Sequence, residues 1–243
     1  MSVEILVAVV IAFGFFIQSV FGFASGLVTI PILSLVIGVK DSVTLVLIFQ
    51  VLLGLIVVRT YRDINWSLAL RVLLGAVLGV PAGSYFLSSL SPQYLLILLS
   101  VCIFLMIPVI GTKNTKIQKL TNQAAAPYIF GLIFGSIQSM FGVAGPISVI
   151  YLSVHAKNKE VFRATNLFVL FTTNIVRLFI SFRNDLITEK LLSLAILAIP
   201  LFIASMFIGD KFSRKSISNE TFYLCIKVIL CLSASSMLFK AVT

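Results

Sequence analysis

The chain has 243 residues, of which 60% are apolar and 11% are charged. Soluble domains have roughly 45–50% apolar residues, so this composition excludes an ordinary globular core and indicates a bilayer as the solvent. The net charge of +10 does not indicate a nucleic-acid partner, because the basic residues lie in short clusters between apolar runs, as in the cytoplasmic loops of membrane proteins.

Ten apolar stretches follow one another along the chain, and hydrophobicity and length predict a helical element for each. They lie at 3–20, 24–39, 42–58, 67–88, 93–111, 127–141, 145–155, 162–182, 188–209 and 221–241. The longest polar segment, 112–126, is predicted to link two halves, 1–111 and 127–243, of a single membrane transporter domain. The predicted fold class is therefore an all-α integral membrane protein.

The two halves resemble each other. Residues 17–24 read IQSVFGFA and residues 137–144 read IQSMFGVA, so six of eight positions are identical at an offset of 120. Gly83 and Gly209 also occupy similar places near the end of each half. A two-fold internal repeat of about five elements per copy follows.

Charge tests the orientation of these repeats. If ten elements alternate across the membrane, one side collects eleven basic residues and the other four, whereas a count of four spans per repeat divides them seven to eight. The positive-inside rule favours ten elements and hence inverted repeats. We therefore predict that residues 59–65, 112–126, 156–162 and 210–220 are cytoplasmic and that both termini lie outside.

The first two elements of each repeat are predicted to form a short hairpin of broken helices. Stretch 145–155 has 11 residues, about 16 Å of helix, which is half of a bilayer core. The segments before it and before residue 27 are rich in Gly, which breaks helices at membrane depth. Alternation alone leaves full spans and re-entrant pairs open; we interpret both pairs as hairpins whose tips meet near the midplane.

Such broken helices predict an anion site, because a helix that begins inside the membrane presents unpaired N–H groups and a positive partial charge. The predicted substrate-binding residues are the polar and small residues at the two breaks and three polar residues of stretch 162–182: Gln18, Ser19, Gly22, Ala24, Ser25, Gly26, Gln138, Ser139, Gly142, Ala144, Gly145, Asn166, Asn174 and Arg177.

Structural interpretations compete with these assignments. The Gln and Ser side chains could instead satisfy backbone groups freed at the hairpin tips. Packing between helices is the favoured interpretation for Asn166 and Asn174, with Gln50 and Thr29 as counterparts in the first half. Arg177, and still more Arg71, could extend to the headgroups.

Several chemistries lack the residues that they need. The apolar stretches contain no carboxylate away from their ends, so proton or sodium coupling is not expected and the protein is predicted to act as a facilitator. No Walker A loop, HExxH motif or Ser/His/Asp set is present, which argues against an enzyme. No metal or other cofactor is expected either: His155 is the sole histidine, and Cys102, Cys225 and Cys231 lack metal-ligand spacing.

The two repeated motifs, together with Arg163-Ala164-Thr165-Asn166 and Arg62-Asp63-Ile64-Asn65-Trp66, resemble the TauE/SafE family of sulfite and organosulfonate exporters over essentially the whole chain. The resemblance implies a permease of the bacterial inner membrane that exports small anions such as sulfite or sulfonates. It also implies about eight spans, which agrees with ten elements if the short pairs are hairpins. The expected partners are the anion and lipid, with a homo-oligomer left open; the alternatives are an importer of another small anion and a membrane scaffold or assembly factor.

Overall fold

The computed structural model describes residues 3–21, 24–57, 63–108, 123–157, 159–213 and 219–242. Within these residues the chain forms ten helices and no strand, which confirms the all-α class. The helices are α1 (Val3–Phe21), α2 (Ser25–Ile37), α3 (Val39–Val57), α4 (Trp66–Ser89), α5 (Pro92–Met106), α6 (Ala126–Phe141), α7 (Gly145–His155), α8 (Lys159–Arg183), α9 (Glu189–Ser213) and α10 (Asn219–Val242). Each predicted element corresponds to one of these helices.

Four of the described helices are long and apolar enough to cross a membrane by length and composition. These spans are Val3–Val20, Trp66–Ser89, Glu160–Arg183 and Glu189–Lys211. In the two predicted hairpins, α1 has 19 residues, α2 has 13, α6 has 16 and α7 has 11. Only α1 of these four reaches the length of a span, and the re-entrant arrangement stays a prediction.

In the first half, the helix whose start differs most from the prediction is α3, which begins at Val39 rather than at residue 42. A single residue, Gly38, separates it from α2 and has φ +85°. This backbone conformation favours glycine, although a Cβ at Gly38 would meet no atom within 4 Å. Ser42 donates a hydrogen bond to the Gly38 carbonyl (2.6 Å), so the polar residues before it belong to the first turn of α3 rather than to a loop.

Two compact units divide the chain, and each combines helices from both predicted halves. Unit 1 comprises residues 1–46, 89–112 and 185–243, and unit 2 comprises residues 47–88 and 113–184. Helix α3 is therefore shared, with its second part in unit 2. The units do not follow the predicted halves, and the organisation as two repeats in one domain stays a prediction.

In unit 1, α1 packs against α2 and α9, and α10 packs against α2 and α5. Gly209 on α9 allows the close approach to α1, because a Cβ there would lie 2.9 Å from the Phe16 carbonyl oxygen and 2.6 Å from the Ser19 Cβ. The rings of Phe15 and Phe202 meet edge to face across the same pair of helices, with centroids 5.0 Å apart.

In unit 2, α6, α7 and α8 pack against one another, and α4 lies along α6 through glycines. Gly75, Gly79 and Gly83 on α4 each face backbone atoms of α6, and a Cβ at Gly83 would clash with the Ser136 carbonyl oxygen. Gly131 on α6 faces the α4 backbone in return. The two helices therefore touch through their backbones, as is common between small residues in membranes.

Replacing Gly79 by Val should lower the free energy of unfolding by about 2 kcal/mol, because the side chain would overlap the Leu132 carbonyl of α6 and backbone atoms cannot move aside cheaply. The measurement is thermal unfolding of purified protein in detergent. Ala82→Val on the exposed side of α4 is the matched control and should unfold like the wild type. Equal unfolding temperatures for the two variants would contradict this packing.

Candidate functional site

The break between α6 and α7 lies in unit 2 and is closed by one side chain. Helix α6 ends at Phe141, Gly142 follows with φ +69°, and α7 begins at Gly145 with Pro146 in its first turn. The Gln138 side chain spans the break: its Oε1 accepts a hydrogen bond from the Ala144 N–H (3.2 Å). Its backbone carbonyl accepts another from the Gly142 N–H (2.8 Å). The first bond satisfies an N–H group that the break sets free, and the second is the last backbone hydrogen bond of α6.

The amide group of Gln138 extends this contact to two other helices. Its Nε2 donates to Gln50 Oε1 on α3 (3.2 Å) and to Asn174 Oδ1 on α8 (3.1 Å). Gln50 in turn places its Nε2 3.4 Å from the Gly142 carbonyl oxygen. All three side chains are buried. Because buried amides are stable only when they are paired, this network fixes the geometry around the break.

Arg177 on α8 places a positive charge on this network. Its guanidinium Nη1 donates to Asn174 Oδ1 (2.9 Å) and lies 3.4 Å from Gln50 Oε1. The side chain is 1% exposed, and its Nη2 has no hydrogen-bond partner among the residues that the structure describes. The two carboxylates of unit 2, Asp63 and Glu160, are both exposed. The contacts that the structure gives Arg177 are therefore to neutral oxygens.

The break between α1 and α2 lies in unit 1 and has a related contact. Gln18 Oε1 accepts a hydrogen bond from the backbone N–H of Ser25 (3.2 Å), the first residue of α2. Ala24 before it has φ +93°, a strained conformation for a residue with a Cβ. The buried Ser25 hydroxyl has no hydrogen-bond partner in the described residues. Gly22 lies outside the described residues.

The structure places the other predicted site residues as follows. Ser19 donates to the Met206 carbonyl of α9 (3.0 Å), and Ser139 forms a hydrogen bond with Ser84 of α4. Gly26, Gly145 and Asn166 are buried in α2, α7 and α8. The network therefore brings together Gln138, Gly142, Ala144, Asn174 and Arg177. Within the described part of unit 2, Gln50 joins them from α3.

Two other residues that the sequence singles out are Arg71, an arginine inside an apolar stretch, and His155, the sole histidine. Arg71 is exposed on α4, whereas Arg177 is buried. His155 Nδ1 lies 3.0 Å from the Tyr151 carbonyl oxygen, and its ring stacks on Tyr151. Among the residues that the structure describes, no group of three or more His, Cys, Asp or Glu could hold a metal ion.

The two short motifs around Asn65 and Thr165 contact each other in unit 2. The backbone N–H of Asn65 donates to Thr165 Oγ1 (3.0 Å), and Asn65 Oδ1 accepts from the Leu68 N–H (3.1 Å), as an N-cap of α4 does. The Trp66 and Phe168 rings meet with centroids 4.9 Å apart. These motifs therefore join the start of α4 to α8.

Comparison with known proteins identifies the family. A model described as "Sulfite exporter TauE/SafE" matches residues 6–237. The chain belongs to the TauE/SafE family. TauE/SafE proteins are membrane transporters, so the chain is a multi-pass membrane protein and a transporter of the sulfite or anion exporter type, not an enzyme. Neither the search of curated proteins nor that of solved structures gave a match.

Proposed function

We propose that this TauE/SafE protein is a permease that exports small anions, with sulfite or organosulfonates as substrates, and that the anion binds to Arg177 beside the break between α6 and α7. The observation that carries this proposal is the buried guanidinium: within the described part of the chain its partners are neutral oxygens, and its Nη2 has no partner. A charge removed from water is costly unless an opposite charge compensates it. A bound anion would supply that charge.

The surrounding residues have separate roles in this proposal. Gln50 and Asn174 accept hydrogen bonds from Nη1 and so hold the guanidinium with Nη2 available to an anionic oxygen. Gln138 ties the start of α7 to these amides. Gln18 and Ser25 occupy related positions at the first break. The sharing of one anion by the two hairpin tips stays a prediction from the sequence.

The inverted repeat is part of the proposal, and contacts inside the two units support it. The glycines that the sequence pairs, Gly209 and Gly83, face the carbonyl oxygens of Phe16 and Ser136, respectively, and positions 16 and 136 are equivalent at the repeat offset of 120. An internal repeat predicts such a recurrence of one helix contact.

We also propose that the protein lies in the bacterial inner membrane with both termini outside the cytoplasm. In a variant without its three native cysteines, Lys116→Cys should react with a membrane-impermeant maleimide only after the cells are opened, because positively charged loops stay inside. Ser2→Cys is the control and should react in intact spheroplasts. Labelling of Lys116→Cys in intact spheroplasts would contradict this topology.

Transport is tested with purified protein in liposomes that contain radiolabelled sulfite. Among the described residues no buried Asp or Glu is found, so we expect voltage rather than a second ion to drive the anion. At equal pH, a potassium-diffusion potential of about 100 mV provides roughly 2.3 kcal/mol per charge. A monovalent anion should then accumulate about fiftyfold on the positive side.

Two results would contradict parts of this proposal. Absence of sulfite or sulfonate flux above that of protein-free liposomes would exclude the permease function for these anions. Flux that follows an imposed pH gradient and ignores the voltage would instead establish proton coupling and exclude a facilitator.

A further inference from the structure

The charge around the proposed site comes from one side chain. Arg177 is the single charged residue among the buried side chains that the structure describes. Of the other described basic residues of unit 2, Arg71, Lys157 and Arg183 are exposed and Arg163 is half-buried. Water screens exposed charges strongly. Among the described residues of unit 2, the buried side chains therefore carry one positive charge and no carboxylate.

The helix ends at the break add little to this charge. The N-terminus of α7 contributes a partial charge of roughly +0.5, and the C-terminus of α6 contributes roughly −0.5. Only Gly142, Val143 and Ala144 separate the two ends, so their effects largely offset each other. The hydrogen bonds of Gln50 and Gln138 to backbone groups of this segment are with neutral amides. Of the buried side chains described in unit 2, Arg177 alone carries a full charge.

We infer that the Arg177 site accepts anions with one negative charge in preference to anions with two, an inference that rests on the proposed function. A monoanion neutralises the guanidinium, so the occupied site has no net charge. A dianion leaves one negative charge without a partner in a place that the side chains of α3, α6 and α8 shield from water, and such a charge is costly. The substrate class is therefore the singly charged oxyanion, such as a sulfonate or hydrogensulfite.

The number of available donors is consistent with this class. Nη1 already donates to Gln50 and Asn174, while the two N–H groups of Nη2 have no acceptor in the described ranges of the chain. A sulfonate oxygen can accept from Nη2, whereas Gln50 Oε1 and Asn174 Oδ1, which lie beside the guanidinium, are acceptors and offer no hydrogen to a second negative charge. Those two amide oxygens carry partial negative charges, so they would repel the second negative charge of a dianion.

Methanesulfonate and methylphosphonate test the inference because they have the same shape and differ in charge. Methanesulfonate carries one charge throughout, whereas methylphosphonate gains a second charge when the pH rises through its second ionisation. Binding of each ion to purified protein is measured by calorimetry below and above that pH. Methanesulfonate should bind equally at both values. Methylphosphonate should bind at the lower pH and at least about tenfold more weakly at the higher one.

Matched variants assign the effect to this arginine. Arg177→Gln should lose binding of both ions at the lower pH, and Arg71→Gln, which removes an exposed arginine from the same unit, should behave like the wild type. Equal binding of methylphosphonate at the two pH values would overturn the charge preference and leave the proposed function intact. If neither ion bound to the wild-type protein, the charge preference would also be overturned. If the same preparation then showed no sulfite flux, the proposed function would be overturned as well.

Discussion

Arg177→Gln should lower anion binding and flux by at least about tenfold while the free energy of unfolding stays equal or rises. The guanidinium is buried against neutral oxygens, so it costs desolvation energy that no carboxylate of the described residues returns. Removing a charged partner from a buried charge pair commonly costs 2–5 kcal/mol of binding, which is the loss expected for an anion at this position. Binding and thermal unfolding, measured on the same preparation, check both parts.

The control separates a binding role from a structural one. Arg71→Gln makes the same chemical change at an exposed position and should keep both flux and stability. Arg177→Lys retains the charge but loses the planar pair of donors, and we expect flux between those of the wild type and Arg177→Gln. If Arg177→Gln unfolds well below the wild type and its remaining folded fraction binds the anion normally, the arginine is structural.

The helices could be predicted from the sequence because hydrophobicity alone marks the segments that a bilayer accepts. All ten elements are present, and the start of α7 at Gly145 follows from the helix-breaking run before it. The start of α3 at Val39 was harder to predict from the sequence. Lys40 and Asp41 are charged and resemble loop residues, yet they lie in the first turn of the helix. Hydropathy does not report that turn, because a single glycine with φ +85° separates α2 and α3.

Packing partners could not be predicted, since they depend on helices that are distant in sequence. Ser19 was a candidate anion ligand, but the structure gives its hydroxyl a partner on α9, at Met206. Gln138 was expected to donate to the anion, and its amide is occupied by Gln50, Asn174 and the Ala144 N–H. A polar residue in an apolar run indicates some partner but not which one.

The burial of Arg177 is the feature of the site that the sequence could least determine. The residue lies within two turns of the end of α8, where a long side chain can reach the headgroups. Whether it turns outward or inward depends on what faces it, and here Gln50 and Asn174 provide inward acceptors. Asn174 was assigned mainly to helix packing, and the structure gives it a contact with the guanidinium as well.

Asn174→Asp should block anion binding and transport, because a carboxylate at this position would neutralise the Arg177 guanidinium in place of the substrate. The substitution changes an amide into a carboxylate of nearly the same shape, 2.9 Å from the Nη1 of Arg177. An internal ion pair then neutralises the guanidinium, because both partners of the hydrogen bond are now ionised. We expect a higher unfolding temperature in anion-free buffer and anion binding at least about tenfold weaker.

Asn65→Asp is the matched control for this variant. It makes the same change in unit 2, at the N-cap of α4, where a carboxylate accepts the Leu68 N–H as the amide oxygen does. Its binding and flux should equal those of the wild type. In Asn174→Asp the unfolding temperature must rise while anion binding weakens. Both changes have one cause, because the new carboxylate pairs with the guanidinium to which the substrate would bind. A variant that is less stable and still transports would show that the substrate does not compensate Arg177.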